Sequence, residues 1–385
     1  SVMSEFSFHT VPEVAVGAGS AHRLGPFCER LGVRHPLLVT DQGLFDLGLI
    51  EPVIGGLSPA CEAPTLFTGV TADPAESVVE AAQEAFSEGH CDGVVAVGGG
   101  SSMDVAKVVA ALAGGEQSLA EMYGVGNVTG GRTPLILVPT TAGTGSEVTP
   151  VAIITTGATT KMGVSSPVLL PDIAVLDAAM TVGLPAPITA MTGIDAMVHA
   201  IEAYTSRIKK NPISDMLALR ALSLLVDNIR TVLSTPDDVS AREAMLLGSM
   251  FAGQAFANAP VGAVHALAYP LGGHYHIPHG LSNSLMLPAV LGFNASAAAD
   301  QYAELAAVLP GDVPATASGL IGWFEALIAD SGLPPTLAAA DVPEADLPML
   351  AADAMLQQRL LINNPVEVDE AAALSLYQQA WAGRA

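Results

Sequence analysis

Asp195 and His199 lie four residues apart in the segment TAMTGIDAMVHAIEA, residues 189–203. The segment predicts a helix that opens after Pro187, so both side chains project from one face, one turn apart. An Asp and a His at this spacing can bind one metal ion. Taken alone, however, the pair is more typical of an ordinary helix surface. The rest of the sequence must decide between these two interpretations.

A long uncharged run supplies two further candidate ligands. Residues 244–299 contain no Asp, Glu, Lys or Arg, yet they carry four of the nine histidines, namely His265, His274, His276 and His279. A run of this kind predicts burial, and a buried polar group without a partner costs about 1–3 kcal/mol. His265 and His279 could complete an Asp-His-His-His set with the first pair. Such a set suits Fe²⁺ or Zn²⁺ and excludes a calcium-type oxygen cage.

Glu202 follows His199 by three residues and lies on the same predicted helix face. A carboxylate there could orient a metal ligand without binding the metal itself. A solvent-facing salt bridge is the more ordinary role for a Glu at this spacing, and we expect that role.

Two glycine-containing loops predict a nucleotide site. The strand GVVAV runs into Gly98-Gly99-Gly100-Ser101-Ser102, and a helix then begins. Glycines let the backbone approach a phosphate, and a helix N-terminus presents free N–H groups and partial positive charge to it. A tight strand-to-helix turn explains this loop equally well, because it is neither GxGxxG nor a P-loop. A second loop, PTTAGTGSE at 139–147, follows the strand LILV and favours a nucleotide site beside the first loop.

Single polar residues near these loops have competing interpretations. Asp41 closes the strand PLLVT, where a carboxylate could bind a ribose 2′-hydroxyl and favour NAD over NADP. Taken alone, Asp41 is more typical of a helix N-cap or a turn. Asp104 and Lys107 lie close to the glycine loop but could equally be ordinary residues at the start of a helix.

The elements that position these residues change character once along the chain. Through about residue 184, short β-branched runs alternate with helical stretches, which predicts an α/β domain with a mainly parallel sheet. The predicted strands are EVAVGAG, PLLVTD, GVVAVGG, TPLILVPTT, VAIITT and IAVLD. From residue 185 onward, Ala, Leu and Met recur at helical spacing between proline-containing breaks. We therefore predict a dinucleotide-binding α/β domain at 1–184 and an all-helical metal-binding and substrate domain at 185–385.

Composition narrows the class of protein. The 385 residues are 50% hydrophobic and only 14% charged, which suits about two buried cores and some contact between subunits. The net charge of -24 argues against a nucleic acid or an anionic membrane as partner. Pro260, Pro270 and Pro278 argue against a membrane helix in the uncharged run.

Cysteine usage and the N-terminus predict a cytoplasmic protein. Cys28, Cys61 and Cys91 show no CxxC spacing, so we expect reduced core thiols rather than disulfides or a zinc site. The N-terminal segment SVMSEFSFHT has no basic stretch followed by an apolar run, so we expect no signal peptide.

Four motifs carry a family resemblance. They are GGGSSMDVAK (98–107), PTTAGTGSEVTP (139–150), TGIDAMVHAIEAYTS (192–206) and HALAYPLGGHYHIPHGLSNSLMLP (265–288). Together they resemble the iron-containing (group III) alcohol dehydrogenases, a family that includes maleylacetate reductases and 1,3-propanediol dehydrogenases and shares its fold with dehydroquinate synthase. The resemblance implies a Rossmann-like N-terminal domain, an all-helical C-terminal domain and an active site in the cleft between them.

The resemblance also implies functional residues. It implies metal ligands at Asp195, His199, His265 and His279, the same four that spacing indicated. It implies dinucleotide contacts at Asp41, Gly99, Gly100, Ser101, Thr140, Thr141 and Lys161. We expect the cofactor site to include also Gly98, Asp104, Thr144 and Thr181.

The chain departs from the family at one position. Many members carry a further histidine, thought to line the catalytic pocket, four residues after the third ligand; here Tyr269 stands at that position. His274 and His276 lie in the same loop, and either could replace the missing imidazole. By default we interpret both as hydrogen-bonded pocket or core residues. We predict His265, His279, Tyr269 and His274 as the catalytic residues.

These features predict an NAD-linked alcohol dehydrogenase or aldehyde reductase. Fe²⁺, with Zn²⁺ as the alternative, would act as a Lewis acid on the substrate oxygen while the nicotinamide exchanges hydride with the adjacent carbon. We expect a small neutral substrate, because no basic cluster is predicted at the pocket, and a homodimer or higher homo-oligomer. Three alternatives stay open: a maleylacetate-type or other reductase of the same fold, a lyase or cyclase like dehydroquinate synthase, and a non-catalytic metal- or nucleotide-binding protein.

Overall fold

The computed structural model describes residues 5–58 and 60–383, which form two compact units. One unit contains His9–Gly183 and Asp237–Leu246, and the other contains the described residues of Ser1–Phe8, Leu184–Pro236 and Leu247–Ala385. The predicted domains, 1–184 and 185–385, differ from these units in residues 5–8, in Leu184 and in Asp237–Leu246. The division into those two domains therefore stays a prediction.

The strands belong to the first unit. They are β1 (Glu13–Val16), β2 (Pro36–Val39), β3 (Thr65–Phe67), β4 (Gly93–Gly98), β5 (Gly124–Val125), β6 (Leu135–Pro139), β7 (Val151–Thr155), β8 (Lys161–Ser165) and β9 (Ile173–Leu176). Six of them form a sheet in the order β1-β9-β6-β4-β2-β3, in which every neighbouring pair is parallel. A second sheet has the order β5-β8-β7, with β7 and β8 antiparallel.

The helices follow the predicted change in character along the chain. They are α1 (Leu24–Leu31), α2 (Gln42–Asp46), α3 (Glu51–Leu57), α4 (Glu76–Glu88), α5 (Gly100–Ala113), α6 (Leu119–Met122), α7 (Ala186–Tyr204), α8 (Pro212–Ser234), α9 (Val239–Asn258), α10 (Ala263–Tyr275), α11 (His279–Asn294), α12 (Ala299–Ala306), α13 (Ala317–Asp330), α14 (Leu347–Ala354), α15 (Gln358–Leu361) and α16 (Glu370–Ala382). The described residues after Leu184 contain no strand. The predicted fold class is confirmed.

Three strands escaped sequence prediction, and two of them are very short. Each of the six predicted segments contains one strand, whereas β3, β5 and β8 were not predicted. β5 has only two residues, and β3 has three. Segments this short show too few alternations of apolar and polar residues to be distinguished from loops.

The four inner strands of the six-stranded sheet, β9, β6, β4 and β2, are buried on both faces. Successive side chains of a strand point to opposite sides, so β6, β4 and β2 each contribute to two apolar clusters. On one side Leu37 packs in a cluster with Val79 of α4 and Val105 of α5. On the other side Leu38 packs in a cluster with Leu24 of α1 and Val53 of α3. Because all neighbouring strands are parallel, the carboxyl ends of all six strands lie at one edge of this sheet.

The helices of the second unit have identifiable starts. α7 begins directly after Pro185, with Pro187 in its first turn, where a missing backbone N–H costs nothing. α8 begins after Asn211, whose side chain accepts hydrogen bonds from the backbone N–H groups of Ile213 and Ser214. The Tyr377 hydroxyl of α16 donates to the Leu267 carbonyl at 2.6 Å and so supports α10.

Two composition-based expectations can be compared with the structure. The three cysteines are free thiols, but only Cys28 is a core residue, since Cys61 and Cys91 are half-buried. Among the described helices, none combines the length and the apolar character needed to cross a membrane.

Candidate metal centre and nucleotide loops

Asp195 and His199 form the start of the candidate metal centre. Both lie in the middle of α7 and are almost fully buried. The Nε2 atom of His199 lies 3.4 Å from Oδ1 of Asp195. The two side chains face each other one helical turn apart, as their spacing predicted.

His265 and His279 come to the same carboxylate from two other helices. His265 is the third residue of α10, and His279 is the first residue of α11. Their Nε2 atoms lie 3.7 Å and 3.4 Å from Oδ1 of Asp195. The structure therefore brings together all four predicted ligands, with one donor atom of each within 4.8 Å of every other.

The spacing of these atoms fits a transition metal. Four bonds of about 2.1 Å at tetrahedral angles place ligand atoms about 3.4 Å from one another. The separations between Oδ1 of Asp195 and the three Nε2 atoms are 3.4, 3.7 and 3.4 Å. The three imidazoles thus lie around the Asp195 carboxylate at separations close to those of ligands that share one ion.

The charges in the cluster are strongly coupled. Burial alone would raise the pKa of Asp195, but the neighbouring imidazoles, His199 foremost, outweigh burial and hold the pKa well below its usual range. Burial alone would lower the pKa of His265, yet the carboxylates of Asp195 and Glu202 outweigh it and raise the pKa to about 9. The carboxylates therefore stabilise a positive charge among the imidazoles. A bound metal ion would supply such a charge.

The prediction of a solvent-facing salt bridge for Glu202 is wrong. Glu202 is 6% exposed, and its Oε1 lies 2.6 Å from Nδ1 of His265. Its other oxygen accepts a hydrogen bond from the backbone N–H of Val264 at 3.0 Å, in the first turn of α10. Glu202 thus fixes the ring of His265 and stabilises the positive N-terminus of α10.

Two further residues contact the cluster and were not predicted. The ring of Phe256 packs on His199, with 4.2 Å between ring centroids. The amide of Asn283 lies 2.6 Å from Oδ1 of Asp195. Asn283 follows His279 by four residues, so the helical spacing of α11 could have indicated it.

Tyr269, His274 and His276, the three positions considered for proton transfer, have different surroundings. Tyr269 is half-buried, and its ring centroid lies 5.9 Å from that of His279. His274 is half-buried, and its Nε2 lies 2.9 Å from Oδ2 of Asp353 on α14. His276 is exposed and ends α10 with a positive φ of 56°, so the prediction of a pocket or core residue is wrong for His276.

The first glycine loop lies at the carboxyl end of β4. Gly98 ends the strand, Gly99 caps α5, and α5 begins with Gly100 and Ser101. A Cβ atom on Gly98 would lie 2.7 Å from Ser102 Oγ, and one on Gly100 would lie 2.9 Å from Thr144 Cγ2. Neighbouring side chains therefore occupy the space that any larger residue needs, which explains the glycines.

The second loop lies beside the first. β6 pairs with β4 so that Pro139 stands opposite Gly98, and the backbone N–H of Thr140 donates to the Gly98 carbonyl at 2.9 Å. A Cβ atom on Gly99 would be 3.7 Å from Thr141. The two loops and the free N–H groups of α5 thus lie together at the carboxyl edge of the sheet, as predicted.

The other predicted cofactor residues each have a local partner. Asp41 caps α2, with Oδ1 accepting from the Leu44 N–H at 2.8 Å, so the N-cap interpretation is confirmed. Lys161 pairs with Asp73 at 2.9 Å, and the Thr181 hydroxyl donates to the Ala178 carbonyl. A contact with the cofactor stays a prediction for these three residues.

Asp104 and Lys107 join the two loop regions from inside the unit. Asp104 accepts hydrogen bonds from the Ser146 hydroxyl at 2.8 Å and from the Ile153 N–H at 3.1 Å. Lys107 is completely buried and donates to the Thr149 hydroxyl at 3.1 Å and the Val151 carbonyl at 3.0 Å. They are thus more than ordinary residues at a helix start, while a direct cofactor contact of Asp104 stays a prediction.

Two family models match this chain. The one described as iron-containing alcohol dehydrogenase matches residues 12–178, and the one for the C-terminal part of the Fe-containing alcohol dehydrogenase family matches residues 189–381. The chain belongs to the iron-containing alcohol dehydrogenase family. The resemblance carried by the four motifs is therefore confirmed.

Individual members of the iron-containing alcohol dehydrogenase family are similar over nearly the whole chain. Long-chain-alcohol dehydrogenase 1 of Geobacillus thermodenitrificans is 39% identical over 379 residues, which cover 96% of this chain and 95% of the relative. The NAD-dependent methanol dehydrogenase of Bacillus methanolicus is 34% identical and covers 90% and 93%. A crystal structure of 1,3-propanediol oxidoreductase has a TM-score of 0.94 at 34% identity and covers 98% and 100%. The predicted enzyme class, an oxidoreductase acting on alcohols, is confirmed.

Gly280 lets the helix that carries His279 approach α7. A Cβ atom on Gly280 would lie 2.4 Å from the carbonyl oxygen of Met191, a backbone atom that cannot move freely. We expect Gly280→Ala to lower the free energy of unfolding by about 1–3 kcal/mol, as overpacking does. We also expect weaker metal binding, because α11 must shift away from α7. Thermal unfolding and chelator competition measure the two effects.

Gly322 on α13 provides the matched control. A Cβ atom there would meet no atom within 4 Å, so Gly322→Ala should keep or raise the Tm. A Gly280→Ala variant with the Tm and the metal Kd of the wild type would contradict the packing argument.

Proposed function

We propose that this family member interconverts a small primary alcohol and its aldehyde with NAD, using Fe²⁺ held by Asp195, His199, His265 and His279. Zn²⁺ is the alternative ion. The observation that carries the proposal is the meeting of these four donor atoms from three helices within 4.8 Å. When bound, such an ion supplies Lewis-acid activation of the substrate oxygen.

The unequal exposure of the three histidine ligands supports an approach of the substrate from the side of His279. The side chain of His279 is 31% exposed, whereas those of His199 and His265 are 4% and 3% exposed. Tyr269 lies next to His279. We propose that Tyr269 and His279 border the substrate, with Tyr269 in the position that a histidine occupies in many relatives. A catalytic role for His274 stays a prediction, and its bond to Asp353 does not support it.

The charge of the surrounding segment supports a neutral substrate. Residues 244–299 contribute two proposed ligands and Tyr269, and they contain no Lys or Arg. A carboxylate or phosphate on the substrate would therefore find no cationic side chain in this segment. Moving an unpaired charge out of water is costly, so neutral alcohols and aldehydes are favoured.

The two glycine-containing loops of the first unit support NAD as the cofactor. We propose that Gly98, Gly99, Gly100 and Ser101 bind the pyrophosphate with the N-terminus of α5, and that Thr140, Thr141 and Thr144 line the other side. Asp41 lies two residues after the end of β2, which is beside β4 in the sheet, and its carboxylate there would repel a 2′-phosphate. The NAD-dependent relative from Bacillus methanolicus supports the same preference.

We also propose a cytoplasmic homodimer or higher homo-oligomer, with domains at 1–184 and 185–385. Free thiols support a reducing compartment. Large apolar side chains such as Leu47 and Leu356 are 74% and 78% exposed, which supports burial against another subunit.

Metal-dependent turnover tests the function. The protein would be stripped with a chelator, reconstituted with Fe²⁺ or Zn²⁺, and assayed with NAD or NADP against neutral, carboxylated and phosphorylated substrates. We expect NADH formation from neutral primary alcohols, only with metal and with a higher kcat/KM for NAD than for NADP. His265→Ala should abolish turnover, because it removes a ligand.

His22→Ala is the control, since His22 is exposed on the other unit. Reduction of only carboxylated or phosphorylated carbonyls would favour a specialised reductase of the same fold. Conversion without net NADH would favour a lyase, and intact turnover in His265→Ala would contradict the proposed centre.

A further inference from the structure

Asn283 lies within the proposed metal centre although it is not one of the four ligands. It is on α11, one turn after His279, and is completely buried. Residues four apart share a helix face, so its amide points to the same cluster as the His279 imidazole.

The amide nitrogen of Asn283 contacts three of the four proposed ligand atoms. Nδ2 lies 2.6 Å from Oδ1 of Asp195, 3.2 Å from Nε2 of His279 and 3.3 Å from Nε2 of His265. The amide has two N–H groups, so it can donate at most two hydrogen bonds at once. The contact with the Asp195 carboxylate is the shortest, and hydrogen bonds to an ionised acceptor are the stronger kind.

The other end of the same amide is unsatisfied. Oδ1 of Asn283 is buried and has no hydrogen-bond partner among the described residues. Leaving a buried acceptor unpaired costs about 1–3 kcal/mol. A residue that only filled this space would be more favourable as an apolar side chain. The cost therefore points to a role that requires the amide N–H.

We propose that Asn283 is a positioning residue that holds the Asp195 carboxylate toward the three imidazoles. Oδ1 of Asp195 is the atom that faces all three Nε2 atoms, and it is also the atom that accepts from Asn283. Holding this carboxylate in place before the ion arrives removes an ordering cost from metal binding. The inference rests on the metal centre proposed above.

Two variants of similar shape test the inference. Asn283→Leu removes both polar atoms, and Asn283→Asp removes only the donor and adds a negative charge beside Asp195. Zn²⁺ affinity would be measured by chelator competition, and geometry by the visible absorption of the Co²⁺-loaded protein. We expect both variants to bind Zn²⁺ about 10–100-fold more weakly, as for other residues that orient ligands, and to have an altered Co²⁺ spectrum. The metal-free Leu variant should keep the Tm of the wild type, because it also loses the unpaired oxygen.

Ser284→Ala is the control, since Ser284 is a buried neighbour whose hydroxyl also lacks a partner among the described residues. It should keep the Kd and the Co²⁺ spectrum of the wild type. Wild-type values in Asn283→Leu would show a packing residue and overturn the inference. A wild-type Kd and Co²⁺ spectrum in Asn283→Asp would likewise overturn it. A wild-type protein that takes up neither Zn²⁺ nor Co²⁺ would overturn the metal centre itself, which is a distinguishable failure.

Discussion

Replacing Asp195 with asparagine is expected to lower kcat/KM about 1,000-fold or more, because the ion that activates the substrate would no longer be retained. Several kcal/mol of transition-state stabilisation come from such an ion, and each 1.36 kcal/mol corresponds to about tenfold in rate. Asp195 is the only carboxylate among the four proposed ligands. Asparagine has the same shape but no charge, so the divalent ion would be left among neutral side chains.

Metal content after purification and the Kd for Zn²⁺ test this expectation separately from activity. Asp330→Asn makes the same chemical change at an exposed position, where Asp330 pairs with Arg230. The control should keep the metal, the Kd and the turnover of the wild type. Stoichiometric metal together with full activity in Asp195→Asn would exclude Asp195 as a required ligand.

Replacing Lys107 with methionine is expected to lower the free energy of unfolding by about 3–5 kcal/mol, the usual cost of removing one partner from a buried ionic cluster. Lys107 is completely buried, and its Nζ lies 3.8 Å from Oδ1 of Asp104. Glu147 is also almost fully buried. Methionine fills a similar volume, but it leaves the buried Glu147 carboxyl group and the half-buried Asp104 carboxyl group without the cation.

The expected loss depends on pH in a definite direction. Burial raises the pKa of Glu147 to about 7 from its ordinary value of 4.5. A raised carboxyl pKa means that the folded protein binds a proton which the unfolded chain has released, so this contribution to stability is lost as pH rises from 4.5 through 7. Removal of Lys107 raises the carboxyl pKa values further. The loss in Lys107→Met should therefore be larger near neutral pH than in mild acid.

The pKa of Lys107 makes the free energy of unfolding depend on pH in a second range. Burial lowers its pKa to about 8 from the ordinary value of 10.5. Between these values the unfolded chain binds the proton and the folded protein does not, so the wild type gains stability as pH rises through this window. This gain should be absent from Lys107→Met.

Urea unfolding followed by circular dichroism measures both effects. Lys209→Met is the control, because Lys209 is exposed and the chemical change is the same. It should change the free energy of unfolding by less than about 0.5 kcal/mol, as surface substitutions usually do. An equal loss in both variants, or a loss in Lys107→Met that is independent of pH, would contradict the buried cluster.

Local periodicity made much of the fold predictable. Strands β2, β4, β6 and β9 are continuous apolar runs, which is typical of a parallel sheet buried on both faces. The strands β3 and β5 were missed because their pairing depends on neighbours distant in sequence rather than on their own residues. The change from strands to helices after residue 184 was visible because α and β elements bury apolar residues with different periods.

The sequence by itself determined which residues could bind a metal, because helix geometry places Asp195 and His199 on one face whatever surrounds them. It also indicated where we expect a phosphate group to approach, since the three glycines at residues 98–100 carry no side chains of their own.

Only the tertiary structure decided which side chains meet. The packing of α10 and α11 against α7 brings His265, His279 and Asn283 to one carboxylate, and it buries Glu202 against His265 instead of exposing it. The spacing of Glu202 showed its face of the helix but not what covers that face. The same holds for Lys107, whose partners Thr149 and Val151 follow more than forty residues later in the chain. The direction of a side chain follows from its own helix, whereas its partner and its burial depend on the elements that pack against that helix.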